Sequence, residues 1–351
     1  MANSLTPPHC GYHWDGAANP FFEGWYYRVT LPKHQESVAF MYSIENPGAR
    51  TNYRGGAVQI LGPEEQYLWQ TLPDCDRFWA DPQDLNFGHW GRSSLPLPAQ
   101  PLPPEEFINR VQCGYQASNQ LNQGYLQDPA TGQYCRWNYQ IEPVYGWGQQ
   151  QATAGWLSLL PIFEPGWQIL LAHGWASGTI DWNGKIYEFK QAPAYSEKNW
   201  GRAFPQQWFW VNCNAFESQP DLALTAVGGK RQVLGQSESV GLIGIHFQGQ
   251  FYEFVPWTAE ISWQVESWGC WKMQARNSSY QVGVQGVCDH KGTPVRVPTA
   301  EGLQFRCRDT TAGYLQLTLR DSIGTVILQA ESIQAGLEVG GDSWSGIWRY
   351  P

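Results

Sequence analysis

The sequence predicts an all-β protein built as two antiparallel barrels or sandwiches. Short segments alternate apolar and polar residues with period two, and glycine, proline and asparagine turns separate them at intervals of about 8 to 12 residues. Aromatic residues make up 15% of the chain, with 20 tryptophans, against only 15% charged residues. Flat apolar walls with polar edges must therefore fill the interior. At 351 residues the chain exceeds the length at which one core stops growing, which predicts two domains.

Taken in order, Gly11 to Gly16 reads as a turn-bounded lead, Phe21 to Val29 as the first long strand, and Ser37 to Ile44 as its successor. Asn46-Pro47-Gly48 and Arg54-Gly55-Gly56 read as turns, and Ala57 to Leu61 with Tyr67 to Gln70 as a hairpin about Gly62-Pro63. The prolines between Leu95 and Pro104 stiffen an extended surface loop, and Glu105 to Val111 reads as a short helix with Pro104 in its first turn. Strands resume at Tyr134 to Glu142, Trp156 to Pro161, Gln168 to Ala176 and Lys185 to Lys190. The last is entered through Asn183-Gly184, a pair suited to a type I′ hairpin.

Beyond Gly201 the alternation sharpens, with strands at Trp208 to Asn214, Leu222 to Val227, Ile243 to Phe247, Phe251 to Val255, Glu260 to Glu266, Trp271 to Ala275 and Tyr280 to Val287. Leu303-Phe305-Cys307 and Leu315-Leu317-Leu319 read as a pair with their apolar side chains on one face, joined through Gly313. Each half opens with its own aromatic strand set if the boundary lies at Gly178, which gives domains 1–178 and 179–351.

The formal charge of −9 comes without a lysine or arginine cluster, which removes nucleic acid and an anionic-lipid patch as partners. No apolar run approaches the roughly 18 to 20 residues of a spanning helix. Residues 1–10 carry neither a basic region nor a hydrophobic stretch, so no secretory signal or transit peptide is expected. Eight cysteines are scattered with no C-x-x-C pair; no metal site is expected, and the thiols read as reduced and structural.

Phosphate-binding, dinucleotide, zincin and nucleophile-elbow motifs are missing, so any chemistry must rest on acids, histidines and rings. Glu197, His173, Tyr195, Trp175 and Trp200 lie close together in sequence. A carboxyl walled off from water by rings stays protonated and can donate a proton. The blander readings are a solvated Glu197–Lys198 ion pair in a loop and a structural His173. Glu23 reads as a buried hydrogen-bond anchor or as a catalytic acid, and Asp15 before Gly16 as a turn residue.

Thr6-Pro7-Pro8-His9 through Gly16, Phe21-Phe22-Glu23-Gly24-Trp25-Tyr26, Ala39 to Pro47, and Tyr195-Ser196-Glu197-Lys198-Asn199-Trp200-Gly201 with Trp208-Phe209-Trp210-Val211 resemble the tocopherol cyclase family. The likeness is nearer to its cyanobacterial than to its plant members, because the plant enzymes carry a transit peptide. The resemblance implies two lipocalin-like β-barrel domains. It also implies an isomerase, with neither cofactor nor metal, that closes the chromanol ring of vitamin E from a phytylated benzoquinol. A wider likeness to carotenoid 1,2-hydratases, which carry an aspartate donor at the position of Glu197 and histidine at that of Lys198, implies Glu197 as the proton donor. Tyr195 and His173 are then its catalytic partners, and Trp175, Trp200, Glu23, Trp25 and Tyr26 bind substrate.

The same resemblance implies work at a membrane or lipid-droplet surface, peripheral on the thylakoid or another inner membrane at its cytoplasmic side, with exposed tryptophans at a barrel mouth as the docking surface. Two other readings compete: a non-catalytic lipocalin-like carrier of prenyl lipids, and a carbohydrate-active protein that uses tryptophans and paired carboxylates.

Overall fold

Period-two alternation becomes strand through most of the described residues. The computed structural model describes residues 6–17, 20–49, 54–94, 101–153, 155, 165–233, 236–299, 302–341 and 344. It divides into two compact units, the first from Met1–Leu31, Val38–Ala203 and Pro298–Gly302, the second from Pro32–Ser37, Phe204–Val297 and Leu303–Pro351.

The first unit holds β1 (Phe22–Leu31), β2 (Glu36–Glu45), β3 (Gly55–Leu61), β4 (Tyr67–Leu72), β5 (Phe78–Ala80), β6 (Asn86–Ser93), α1 (Pro104–Arg110), β7 (Val111–Ser118), β8 (Leu121–Gln127), β9 (Tyr134–Tyr145), β10 (Gly166–Trp182) and β11 (Lys185–Gly201). Its sheet runs β4-β3-β2-β1-β11-β10-β9-β8-β7-β6-β5. The sheet curls on itself, so that the Cys113 thiol of β7 donates to Gln70 of β4 at 3.3 Å. Odd-numbered residues of β1, Trp25, Tyr27 and Val29, enter the core beside Phe40, Tyr42, Phe87, Tyr115, Trp137 and Tyr139. Asn122 satisfies three of these rings: its amide oxygen accepts from Tyr42 Oη (2.6 Å) and Trp137 Nε1 (2.8 Å), and its nitrogen donates to Tyr139 Oη (2.9 Å).

The second unit holds β12 (Gln207–Cys213), β13 (Ala223–Val233), β14 (Gln236–Phe247), β15 (Gln250–Phe254), β16 (Glu260–Val265), β17 (Cys270–Arg276), β18 (Tyr280–Val287), β19 (Thr293–Thr299), β20 (Gly302–Asp321) and β21 (Val326–Gly341). Nine strands follow the order β15-β14-β13-β12-β21-β20-β18-β17-β16, and β19 pairs with β20. Trp263 Nε1 of β16 donates to the Val240 carbonyl of β14 at 3.1 Å, so this sheet curls as well. The all-β, lipocalin-like expectation therefore holds.

Several expectations change in detail. The boundary expected at Gly178 falls inside β10, and the units divide between Ala203 and Phe204. The physical reason is the β10–β11 hairpin, whose Asn183 (φ 52°) and Gly184 (φ 89°) supply the expected turn and whose second strand continues to Gly201 to pair with β1. Gly178 itself is a point of close approach, where a Cβ would lie 2.2 Å from the Asn138 carbonyl oxygen. Gly55 and Gly56 belong to β3 rather than to a turn. Gly313 is no turn either, because 303–319 lies in one strand with register shifts on either side of Gly313. Those shifts turn Cys307 toward Glu338 while Leu315, Leu317 and Leu319 enter the core. Sequence reading passed over β5 to β8, β19 and β21; the strand expected at Trp156 to Pro161 lies outside the described residues.

Candidate active site

Glu197 and Lys198 sit side by side in β11, and a strand sends consecutive side chains to opposite faces. That geometry decides the site. In register, Tyr26 stands opposite Glu197, Trp25 opposite Lys198, Arg28 opposite Tyr195 and Glu23 opposite Trp200. Because Trp25 faces the core, Lys198, Glu23 and Trp200 share the inner face, whereas Tyr26, Arg28, Tyr195 and Glu197 share the outer one.

The outer face is nonetheless buried. Glu197 is 8% exposed, and Tyr195, Arg28 and His173 are more deeply enclosed. Tyr195 Oη donates to Glu197 Oε2 at 2.5 Å. The Tyr26 ring meets the Tyr195 ring edge-on, 6.3 Å between centroids. On the other side of β11, Ile169 of β10 is the register partner of Glu197. The register shifts between Leu171 and Gly174 bring Trp175 opposite Pro193 and leave Ala176 in the core. His173 meets Trp175 edge-on at 4.6 Å, with Tyr145 at 6.1 Å on its other side. Tyr26, Tyr195 and Glu197 thus form one contact group and His173 with Trp175 another, both carried by the β1–β11–β10 part of the sheet.

Glu23, Trp25 and Trp200 do not join them. Glu23 and Lys198 are fully buried on the inner face, where Lys198 Nζ pairs with Glu23 Oε1. The same ammonium donates to the Gly11 carbonyl at 2.7 Å and meets His13 Nδ1 at 3.2 Å. Glu23 Oε2 accepts the His13 backbone N–H at 2.8 Å, and the His13 ring stacks on Trp200 at 4.1 Å. The group pins the lead segment 10–13 to the first sheet. Burial lowers the Lys198 pKa, against the opposing pull of the Glu23 carboxylate. The anchor reading of Glu23 accounts for these contacts, whereas a solvated Glu197–Lys198 pair does not exist. Asp15 is a turn residue: its carboxylate accepts the Ala17 N–H at 2.8 Å, with Gly16 at φ 86°.

Arg28 is the outer-face residue that sequence reading missed; parity with Tyr26 along β1 would have found it. Among the described residues no group of three metal-ligating side chains occurs, and all eight cysteines are free thiols. A groove of about 670 Å³ lies in the second unit, lined by Glu260, Arg276, Arg320 and their neighbours, none of them an expected site residue.

Comparison with known proteins places this geometry in a family context. A family model described as tocopherol cyclase-like matches residues 19–341. A probable chloroplastic tocopherol cyclase of Oryza sativa subsp. japonica is 42% identical over 380 residues, covering 99% of this chain and 81% of the relative. The chloroplastic tocopherol cyclase of Zea mays is also 42% identical, over 99% of this chain and 80% of its own. Among solved structures, kievitone hydratase from Nectria haematococca aligns over 98% of both chains with a TM-score of 0.50 and 9% identity. CghA aligns over 93% of this chain and 89% of its own, with a TM-score of 0.50 and 8% identity. These two similarities show the fold alone.

Proposed function

The chain belongs to the tocopherol cyclase-like family, and from that premise we propose that it is an isomerase closing the chromanol ring of a phytylated methyl-benzoquinol, a step of vitamin E biosynthesis. Glu197, as the neutral acid, protonates the prenyl alkene nearest the ring on its less substituted carbon. An acid O–H bond breaks, a C–H bond forms, and the positive charge rests on the tertiary carbon. The neighbouring phenol oxygen then bonds to that carbon and returns its proton to Glu197, so composition and oxidation state are unchanged and no cofactor enters the scheme.

The observation that carries this reading is the 2.5 Å bond from Tyr195 Oη to Glu197 Oε2 on a buried sheet face. As Glu197 gives up its proton, the Tyr195 hydroxyl stabilises the carboxylate that forms. The faces of Tyr26 and Trp175 stabilise the cation by about 0.5 to 2 kcal/mol each. The Arg28 guanidinium repels a carbocation, which sets the alkene on the Ile169 and Trp175 side of the acid. His173, against Trp175, orients the quinol hydroxyl. Exclusion of water keeps the cation from being hydrated. The relatives named as cyclases disfavour a carrier without chemistry.

The test is turnover of a phytyl methyl-benzoquinol in deuterated water. One deuteron at the new ring methylene supports the scheme; a chromanol without label, or no chromanol, overturns it.

The prenyl tail confines the substrate to lipid. Among the described residues no helix is long and apolar enough to cross a membrane, and we place the enzyme peripherally, at the thylakoid or another inner membrane on its cytoplasmic side. In the second unit the turn after β15, the β17–β18 turn and the β20–β21 tip share one end. That end exposes Trp257, Val326, Ile327 and Ile323, the last 88% exposed, which suits insertion into a lipid surface. Ile323→Asp should abolish flotation with phosphatidylcholine vesicles; undiminished flotation would exclude this end.

A further inference from the structure

We propose that the groove on the outer face of the second unit holds the head group of an anionic phospholipid, its phosphodiester between Arg276 and Arg320 and its hydroxyl groups over Gly283. The inference rests on the reading of the neighbouring end as lipid-facing, and it names the lipid that this end recognises.

Sheet register builds the groove. Glu260, Arg276, Gln281 and Arg320 stand opposite one another on β16, β17, β18 and β20, and Val326 of β21 ends the row. A second row on the same face runs Ser262, Gln274, Gly283 and Thr318. Ala275, Val282 and Leu319, which alternate with them, belong to the core, so both rows face outward. Together they line about 670 Å³. One strand separates Arg276 from Arg320, about 10 Å at the usual strand spacing, and two guanidiniums close that distance by converging on one phosphate.

The charges suit a phosphodiester. Arg276 gives Nε and Nη2 to Glu260 Oε2, both at 2.9 Å, and Arg320 gives Nη1 to the Gly324 carbonyl at 3.1 Å. A guanidinium carries five N–H groups, more than these contacts use. Asp321, next in the chain, turns its carboxylate to the N–H groups of Ile323 and Thr325 in the tip. Two guanidiniums against the Glu260 carboxylate therefore leave the groove singly positive, in a chain whose formal charge is −9. The expectation against an anionic-lipid patch rested on the lack of a basic cluster in the sequence. Register assembles the pair from strands far apart in the chain.

Gly283 selects the rest of the ligand. A glycine inside a strand weakens it, and marks a bulge or the close approach of a ligand or another backbone. Its pairing with Gln274 and Thr318 runs without a register shift, and a Cβ there would meet no atom within 4 Å. Neither a bulge nor packing accounts for it, whereas a group lying on the bare backbone does. Ser262, Gln274 and Thr318 around it both give and take hydrogen bonds, which favours a head group with hydroxyls, as in phosphatidylglycerol. From the phosphate the acyl chains run past Val326 and Ile323, both exposed, into the lipid.

The probe is dihexanoyl-phosphatidylglycerol below its micellar concentration, titrated into the full chain by calorimetry. Saturable binding is expected. Its Kd should rise at least tenfold in Arg320→Gln and in Gly283→Val, which fills the floor and favours the strand, and should be unchanged in Lys291→Gln, an exposed cation outside the groove. No saturable binding, a Kd indifferent to Gly283→Val, or an equal loss in Lys291→Gln is the behaviour of diffuse surface charge and overturns the proposal. Equal affinity for inorganic phosphate overturns it too, as a site for free anions. The docking end is judged apart, on phosphatidylcholine vesicles: flotation lost in Ile323→Asp without binding of the short-chain lipid keeps that end and removes the head-group site.

Discussion

Replacing Tyr195 by phenylalanine removes a single oxygen from a buried face and keeps the ring that meets Tyr26. The lost contact is the 2.5 Å hydrogen bond to Glu197. A hydrogen bond to a charged group contributes about 1.5 to 3 kcal/mol, and in the proposed scheme that charge exists only once the proton has left. The loss therefore falls on the transition state, and at about 1.4 kcal/mol per decade of rate it predicts a fall in kcat of about 10- to 150-fold. KM should barely move, because the ground-state acid is neutral and the ring surface is retained. The assay is single-turnover chromanol formation on protein whose circular dichroism matches the parent, with Glu197→Gln alongside. Glu197→Gln should bind the quinol yet lose nearly all turnover. Should Tyr195→Phe retain full kcat, or raise KM alone, Tyr195 is not stabilising the departing charge. Should Glu197→Gln retain full rate, the acid is not position 197.

The inner face responds differently. Lys198→Met strands the buried Glu23 carboxylate and should cost about 3 to 5 kcal/mol of stability, whereas Lys198→Met with Glu23→Gln should recover much of it; additive losses in urea unfolding of the cycle would contradict a coupled pair. Glu45, raised by burial to about 7 against the opposing Ser43 hydroxyl, binds its proton more tightly in the folded state. Its contribution is fully present below the unfolded value of 4.5 and is lost as pH rises to about 7, roughly 3 kcal/mol in all. Glu45→Gln should flatten that slope, and an unchanged pH–stability profile between those limits would show that the carboxyl is not held protonated.

How much was legible from residues alone can be judged on β11. The Asn183-Gly184 turn and the strand that follows it from Lys185 were readable, because turn chemistry and alternation are local. The strand state of 194–201 was not. Both its faces are buried, so the polarity contrast that marks a half-buried strand is lost. Lys198 looked like a solvated partner of Glu197 because, without a strand, neighbours in sequence are taken as neighbours in space. Once the strand is known, parity alone sends them apart.

Composition, turn spacing and the aromatic motifs determine by themselves that this chain is all β and in two parts, and they single out the stretch around Glu197 as the candidate site; these are properties of short stretches and of residue type. Only the tertiary structure decides which expected residues meet. The pairing of β1 with β11 and the bulges of β10 put Tyr26, Tyr195, His173 and Trp175 on the face of Glu197, and give Glu23 and Trp200 to Lys198. Side-chain direction in a sheet depends on register and bulges, and register is set by partners far away in the chain.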